Sequence, residues 1–180
     1  MKFRDVRNGI AAGLGGYLGI PVCLGDQTGP EPEFPFVVYS ATAPYIPENG
    51  LGEISYLPDG FETLTERRRE EPLCTFSFTV CGKDRRVGNG YILGDDEALE
   101  LAEKAQGWFL HAGYDDISQK GITVVDVSNV QGRSFLQVDE EARRYGFDVT
   151  LRYVRTDKRT VGTVGRVSAA GKGESLWAKT

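Results

Sequence analysis

The sequence predicts one domain in which helices and strands share a core. Three observations carry this. Residues 95–112 place Ala98, Leu101, Ala102, Ala105, Trp108 and Phe109 at three- and four-residue steps, the buried stripe of a helix. Residues 73–81 alternate Cys74, Phe76, Phe78 and Val80 with Thr75, Ser77 and Thr79, the period of a strand with unlike faces. Phe147, Val149, Leu151 and Tyr153 alternate in the same way with Asp148, Thr150 and Arg152. At 180 residues the chain is long enough to bury a core without a metal or a disulfide.

The other elements follow in chain order. Val6, Ile10, Leu14, Tyr17 and Leu18 give residues 4–18 the stripe of a first helix, with Gly19 as its stop. Gly9, Gly13, Gly15 and Gly16 weaken that helix by about 1 kcal/mol each relative to alanine, which makes sense where another backbone packs close. Residues 20–24 read as a short strand that Pro21 keeps at an edge. Residues 25–35 form a loop, and 36–41 a compact apolar strand. Turn signals then crowd together: Pro44, Pro47, Asn49-Gly50, Pro58 and Asp59-Gly60. Residues 44–69 therefore form a long excursion from the body, with 53–57 as one arm of a hairpin.

Residues 85–90 read as a turn. Asp95 or Gly94 caps the central helix, and Asp96 and Glu97 lie in its first turn, where the positive end of the dipole favours acids. Glu100 and Lys104 form an exposed i,i+4 pair, and Gly113 closes the helix. Residues 117–120 add a helical turn, 122–130 a strand, Gly132 and Arg133 a crossing turn, and 161–167 a last short strand. The chain thus divides into a body, residues 1–155 with the excursion 44–69, and an extended arm, residues 156–180.

Charge and composition exclude several classes. The formal net charge is −5, which disfavours a general nucleic-acid binder. The arm has five Lys or Arg against two acids, so residues 1–155 carry −8. No stretch approaches the roughly 18 apolar residues of a membrane-spanning helix. The N-terminal residues, with Asp5 and Asn8 among the basic ones and a glycine-rich stretch after them, fit a signal peptide poorly. Three cysteines, none in a CxxC pair, argue against a disulfide framework and for a reducing compartment.

No catalytic, cofactor-binding or metal-binding residue is predicted. His111 is the lone histidine and ends a helix; the best acid for it is Asp115, and neither GxSxG nor HExxH accompanies it. Cys74 and Cys81 are seven apart, so on a regular strand they point to opposite faces and cannot share a metal; with Cys23 they read as buried thiols. The pairs Asp95-Asp96 and Asp115-Asp116 begin helical segments, where acids are at home. Gly13, Gly15 and Gly19 lack the spacing and the preceding strand of a dinucleotide fingerprint, and Gly82-Lys83 and Gly171-Lys172 lack a phosphate-loop frame. The run Arg67, Arg68 and Arg69, flanked by Glu66, Glu70 and Glu71, is either a solvated strand entry or a subunit contact that supplies register.

Three blocks together resemble one family. They are NGLGEISYLPDG at 49–60 followed by REEPLCTFSFTVC at 69–81, ELAEKAQGWFLHAGY at 100–114, and EEARRYGFDVTLRYVRT at 140–156. In this order they resemble the phage neck or tail terminator proteins, the group of the lambda-type tail terminator. GWFLHAGY followed some thirty residues later by RYGFDV is the most specific pairing, and PEFPFVVYS at 32–40 fits the entry to the family's first core strand. The resemblance spans about residues 9–167.

It implies an α+β fold: a mixed, mostly antiparallel sheet of about five strands, two main helices packed on one face, and a projecting loop or hairpin. It implies a structural virion protein of a tailed phage or prophage rather than an enzyme. Such a protein sits as a ring, usually of six copies, on the head-proximal end of the tail tube, touching tube and head completion proteins. DNA would pass through without specific binding, since an acidic body repels phosphates. Three rival readings stand beside this one: another head–tail connector or completion protein, a small hydrolase, and a ligand-binding module.

Overall fold

The computed structural model describes residues 1–27, 29–30, 32–48, 50–59, 63–134 and 142–162. In chain order the elements are α1 (Phe3–Leu18), β1 (Val22–Leu24), β2 (Phe36–Ile46), β3 (Glu53–Pro58), β4 (Thr63–Glu70), β5 (Leu73–Lys83), β6 (Arg85–Val87) and β7 (Gly90–Ile92). They continue as α2 (Gly94–Gly107), a π-helical turn (Trp108–Ala112), α3 (Tyr114–Gln119), β8 (Ile122–Val127), β9 (Gln131–Gly132), β10 (Ala142–Tyr153) and β11 (Arg155–Gly162). The main sheet has the order β1-β2-β5-β10-β8, with β9 added on β10. Only the β1–β2 pairing is parallel. The fold is α+β with a mixed, mostly antiparallel sheet.

The core lies between this sheet and the helices. β5 presents Cys74, Phe76, Phe78 and Val80, and β10 presents Phe147, Val149, Leu151 and Tyr153, all buried. Direct pairing sets Phe147 opposite Phe78 and Val149 opposite Phe76. Onto them α1 lays Val6, Ile10, Leu14 and Leu18, and α2 lays Ala98, Ala102 and Ala105. Each large apolar side chain so buried contributes about 1.5–3 kcal/mol. The alanines let α2 lie close to the strands, and Leu101, expected in the stripe, is only half-buried. Burial pushes the Cys74 thiol up to about 12, so it is a core side chain and not a nucleophile.

Several local expectations change. Residues 85–90 are not a simple turn but the two strands of a small hairpin, β6 and β7. The cap of α2 is neither Gly94 nor Asp95: Leu93 holds that position, and the Asp84 carboxylate accepts the Gly94 N–H at 2.7 Å. Lys104 does not serve Glu100 but stands 5.3 Å from the Tyr17 ring centroid, bridging α2 to α1. Gly9 and Gly13 of α1 admit side chains rather than a backbone, a Cβ on Gly13 coming within 2.9 Å of the Trp108 ring; Gly15 has the Ile20 carbonyl oxygen at 3.6 Å beside the Val22 side chain, and Gly16 borders open space. The last strand starts at Arg155, six residues earlier than expected, and pairs with β4.

Gly94 is where sheet and helix meet most tightly. A Cβ there would lie 2.5–2.6 Å from backbone atoms of Lys83. Backbone cannot rotate aside as a side chain can. Gly94→Ala is expected to destabilise the fold by about 1–3 kcal/mol, read as a lower urea midpoint at unchanged slope. A wild-type midpoint would show that α2 shifts without cost.

A second, three-stranded sheet has the order β11-β4-β3. Its construction follows from the chain path. β3 comes after β2, β4 leads into β5, and β11 follows β10 with only Val154 between. Thus β2, β5 and β10, neighbours in the main sheet, continue beyond it as β3, β4 and β11 in the same lateral order. Of the excursion expected at 44–69, Pro44–Ile46 still belong to β2, while β3 and β4 form a projecting hairpin, completed by the first residues of the segment expected as an arm. Residues 163–180 of that segment lie outside the described residues, as do Asn49 and Gly60 of two expected turns. Gly52 opens β3 with φ +75°, where a Cβ would also meet the Arg69 carbonyl oxygen at 2.6 Å.

Candidate functional site

The projecting sheet is joined to the body by a buried acid. Glu70, 5% exposed, ends β4. It accepts hydrogen bonds from the Tyr45 hydroxyl on β2 at 2.8 Å and from Arg68 Nη2 at 2.5 Å, and pairs with Arg155 Nε at 3.5 Å. Arg155 also stacks over the Tyr45 ring, 5.5 Å from its centroid. One carboxylate thereby ties β2, β4 and β11 together where the two sheets meet. Buried charge is tolerated only with such partners.

Beyond the joint, opposite charges face each other across β4 and β11. Register places Arg155 opposite Glu70, Asp157 opposite Arg68 and Arg159 opposite Glu66. Arg159 grips Glu66 with two bonds of 2.6 and 2.8 Å, and Arg68 Nη1 lies 3.5 Å from Asp157. The Arg159 guanidinium holds the Glu66 carboxyl below the ordinary range. Solvent screens such exposed pairs, so they add little to stability. Their larger effect is on register: a two-residue slip would set Arg159 opposite Arg68 and Asp157 opposite Glu70. The other face of the same sheet carries Arg67, Arg69 and Lys158; Arg69 pairs with Glu71 at 2.7 Å.

β3 is one of the two edges of this sheet. All six of its residues are exposed, among them Ile54, Tyr56 and Leu57. An exposed apolar edge strand offers unpaired backbone and side chains to another chain. The second such edge is β8, which ends the main sheet. A groove runs along it, walled by Leu110 and Tyr114 from the π-turn and α3 and floored by Ile117. Leu110, Tyr114 and Val125 are 63%, 72% and 44% exposed, a large apolar share for an open surface.

The sheet face turned away from the helices is polar along its centre, where Ser77, Asp148 and Thr150 lie. Arg133 lies across it, donating to Ser77 Oγ at 2.6 Å and to Asp148 Oδ1 at 2.8 Å, while Ser77 donates to the same Asp148 oxygen at 2.7 Å. Burial raises the Asp148 pKa, but the hydrogen bonds from Ser77 and Arg133 outweigh it, and the carboxyl titrates below its ordinary value. Its stabilising contribution is therefore full above about pH 4 and is lost as pH falls through the depressed value. Asp148 is half-exposed, so solvent screening keeps the effect within about 1 kcal/mol. Stability measured by urea unfolding is expected to fall more steeply below pH 4 in the wild type than in Asp148→Asn; parallel curves would rule the group out.

The residues weighed in the sequence do not converge. His111 is exposed in the π-turn, and among the described residues no hydrogen bond or ion pair joins it to Asp115. Asp95 accepts from the Tyr145 hydroxyl at 3.2 Å, and Asp116 pairs with Lys120. Cys74 faces the helices, whereas Cys81 faces the opposite side beside Phe36 and Val38. Gly13 and Gly15 are inside α1 and Gly19 caps it; Gly82-Lys83 ends β5; Gly171-Lys172 lies outside the described residues. The arginine run is neither a loop nor a mere entry but the body of β4.

Sequence reading passed over the Tyr45–Glu70–Arg155 joint and the β8 groove. A signal for the first existed: charges alternate at 66, 68 and 70 and again, in complementary order, at 155, 157 and 159. Nothing comparable marks the groove, whose walls come from three separate elements.

Comparison with known proteins agrees with this surface-built molecule. No curated protein matches the sequence significantly. Among solved structures, an S-adenosylmethionine-dependent methyltransferase from Clostridium acetobutylicum aligns at 12% identity, over 66% of this chain and 44% of its own, with a TM-score of 0.11. The chain thus spans less than half of that structure, and a likeness so slight carries no argument about fold or activity. The family model described as "Phage neck terminator protein" matches residues 8–174. With nearly the whole chain inside that match, and the helices, sheet and projecting hairpin in place, the protein belongs to the phage neck terminator family and is a structural protein of a bacteriophage neck.

Proposed function

We propose that the chain caps the head-proximal end of a phage tail tube and joins it to the head and neck proteins, acting as a ring of copies, six in the simplest case. The observation that carries this reading is the family match over residues 8–174. Two features of the molecule support it. The projecting sheet is stiffened by a charge ladder and ends in an exposed apolar edge, as suits an element that reaches a neighbour. The body carries −8 over residues 1–155, so a lumen lined by it would repel DNA and let the genome slide. The division into a body, 1–155, and an arm, 156–180, belongs to the same proposal. The chain would be made in the bacterial host cytoplasm and carried into the virion.

The test is genetic and visual. A parent phage lacking this chain is expected to give tails of uncontrolled length that fail to join filled heads in electron micrographs. Normal tails on filled heads would end the proposal. A second reading, another component of the head–tail connector, shares the family-level observation. Binding of purified protein to isolated tail tubes favours the terminator; binding only to portal complexes favours the connector.

A further inference from the structure

We infer that β3 of one copy docks along β8 of the next, so that the projecting hairpin is one half of a head-to-tail interface and the groove beside β8 is the other. This rests on the ring proposed above and goes further by naming the two surfaces that close it.

Three observations lead here. The first is topology. The main sheet runs β1-β2-β5-β10-β8, and the projecting sheet repeats β2, β5 and β10 as β3, β4 and β11. β3 therefore lies on the β2 flank, and β8 lies beyond β10 on the other flank. A surface on one flank that fits a different surface on the opposite flank makes a heterologous contact, the kind that generates rings.

The second observation is form. Both edges are six residues long, Glu53–Pro58 and Ile122–Val127. All six residues of β8 line the groove, so its free backbone edge and not one face alone opens to it. An extended segment can add there as a further strand, with main-chain hydrogen bonds supplying affinity and side-chain pockets specificity. β3 brings Ile54, Tyr56 and Leu57, and the groove offers Leu110, Tyr114 and Val125, all exposed in the single chain.

The third observation is charge. β3, β4 and β11 carry six Arg or Lys against four acids, a net of +2. Residues 108–127, which build the groove, carry Asp115, Asp116 and Asp126 against Lys120, a net of −2. The opposite signs steer the projecting sheet as a whole toward a neighbour's groove, with the positive excess on β4 and β11 behind the β3 edge, which itself carries only Glu53. β11, the other edge of the projecting sheet, fits β3 less well: it is a charged strand, and the pocket at its start is edged by the charges of Lys2, Asp5, Arg155 and Asp157.

Disulfide trapping in assembled tails tests this. In a Cys23→Ser background, Val125→Cys is combined with Ser55→Cys or with Tyr56→Cys. Since neighbours on a strand point to opposite faces, one of the two shares the face of position 125. Tails are purified from infected cells, oxidised, and run on non-reducing gels. A ladder of linked chains from one pair is expected, with chains carrying one cysteine each, co-expressed, stopping at dimers. Tails that contain the chain but give no ladder overturn the interface and leave the terminator role standing. A ladder from Ser55→Cys with Thr160→Cys instead would also overturn it, placing β3 against β11. Tails from which the chain is missing would sink the terminator role and the interface with it.

Discussion

Phe78→Ala is expected to cost about 3–5 kcal/mol, the range for emptying a large aromatic site in a close-packed core. Phe78 is 1% exposed and central to the aromatic cluster. Its ring centroid lies 5.1 Å from that of Phe109, 5.8 Å from Phe147 and 5.9 Å from Tyr39. Those three rings come from the π-turn, β10 and β2, so one deletion loosens three elements. A loss of this size is a large part of the 5–15 kcal/mol that holds a typical domain together. Urea unfolding followed by tryptophan fluorescence reads it directly, because Trp108 packs edge-on against Phe109 at 4.9 Å. A loss below about 1 kcal/mol would mean that the surrounding rings close the cavity, which the packing around Phe78 argues against.

Removing residues 156–180 is expected to melt the projecting sheet while sparing the body. The cut takes away Asp157 and Arg159, the cross-strand partners of Arg68 and Glu66, and nearly all of the β11 ladder on β4. It leaves β3 and β4 as a two-stranded hairpin, which is marginal in water. Hydrogen exchange should then accelerate sharply over 53–70 and stay slow over 74–80, where β5 is paired on both sides. Unchanged protection over 53–70 would show that the hairpin stands without β11. The same truncation is expected to abolish incorporation into tails. Assembly that light scattering finds unaltered would remove this segment from the ring.

These two results probe different parts of the sequence's legibility. The core of Phe78 could be read beforehand, because a strand between helices and solvent must alternate, and residues 73–81 do. The stripe of α2 could be read for the same reason, with Leu101 alone less buried than its spacing suggested. The projecting sheet could not. β4 reads as Thr-Leu-Thr followed by a charge run, with no buried face to mark it, since both its sides are wet or half-wet. Its partner β11 lies some ninety residues away, and no local pattern announces a pairing at that distance. Charge alternation in the two segments was the available clue, and it becomes meaningful only when they are set antiparallel.

By itself the sequence determined what local chemistry can determine: the two main helices and the alternating strands of the core, which of their faces are apolar, the absence of any familiar catalytic frame, and membership in a family of phage neck proteins. Those properties depend on side-chain period and residue type, which a chain carries wherever it goes. Only the tertiary structure decided that three central strands run on into a second sheet, that Glu70 becomes the joint between the two, and that free apolar edges fall on opposite flanks. Such features are set by pairings between distant segments, whose choice is made by the whole fold's packing and hydrogen bonding at once.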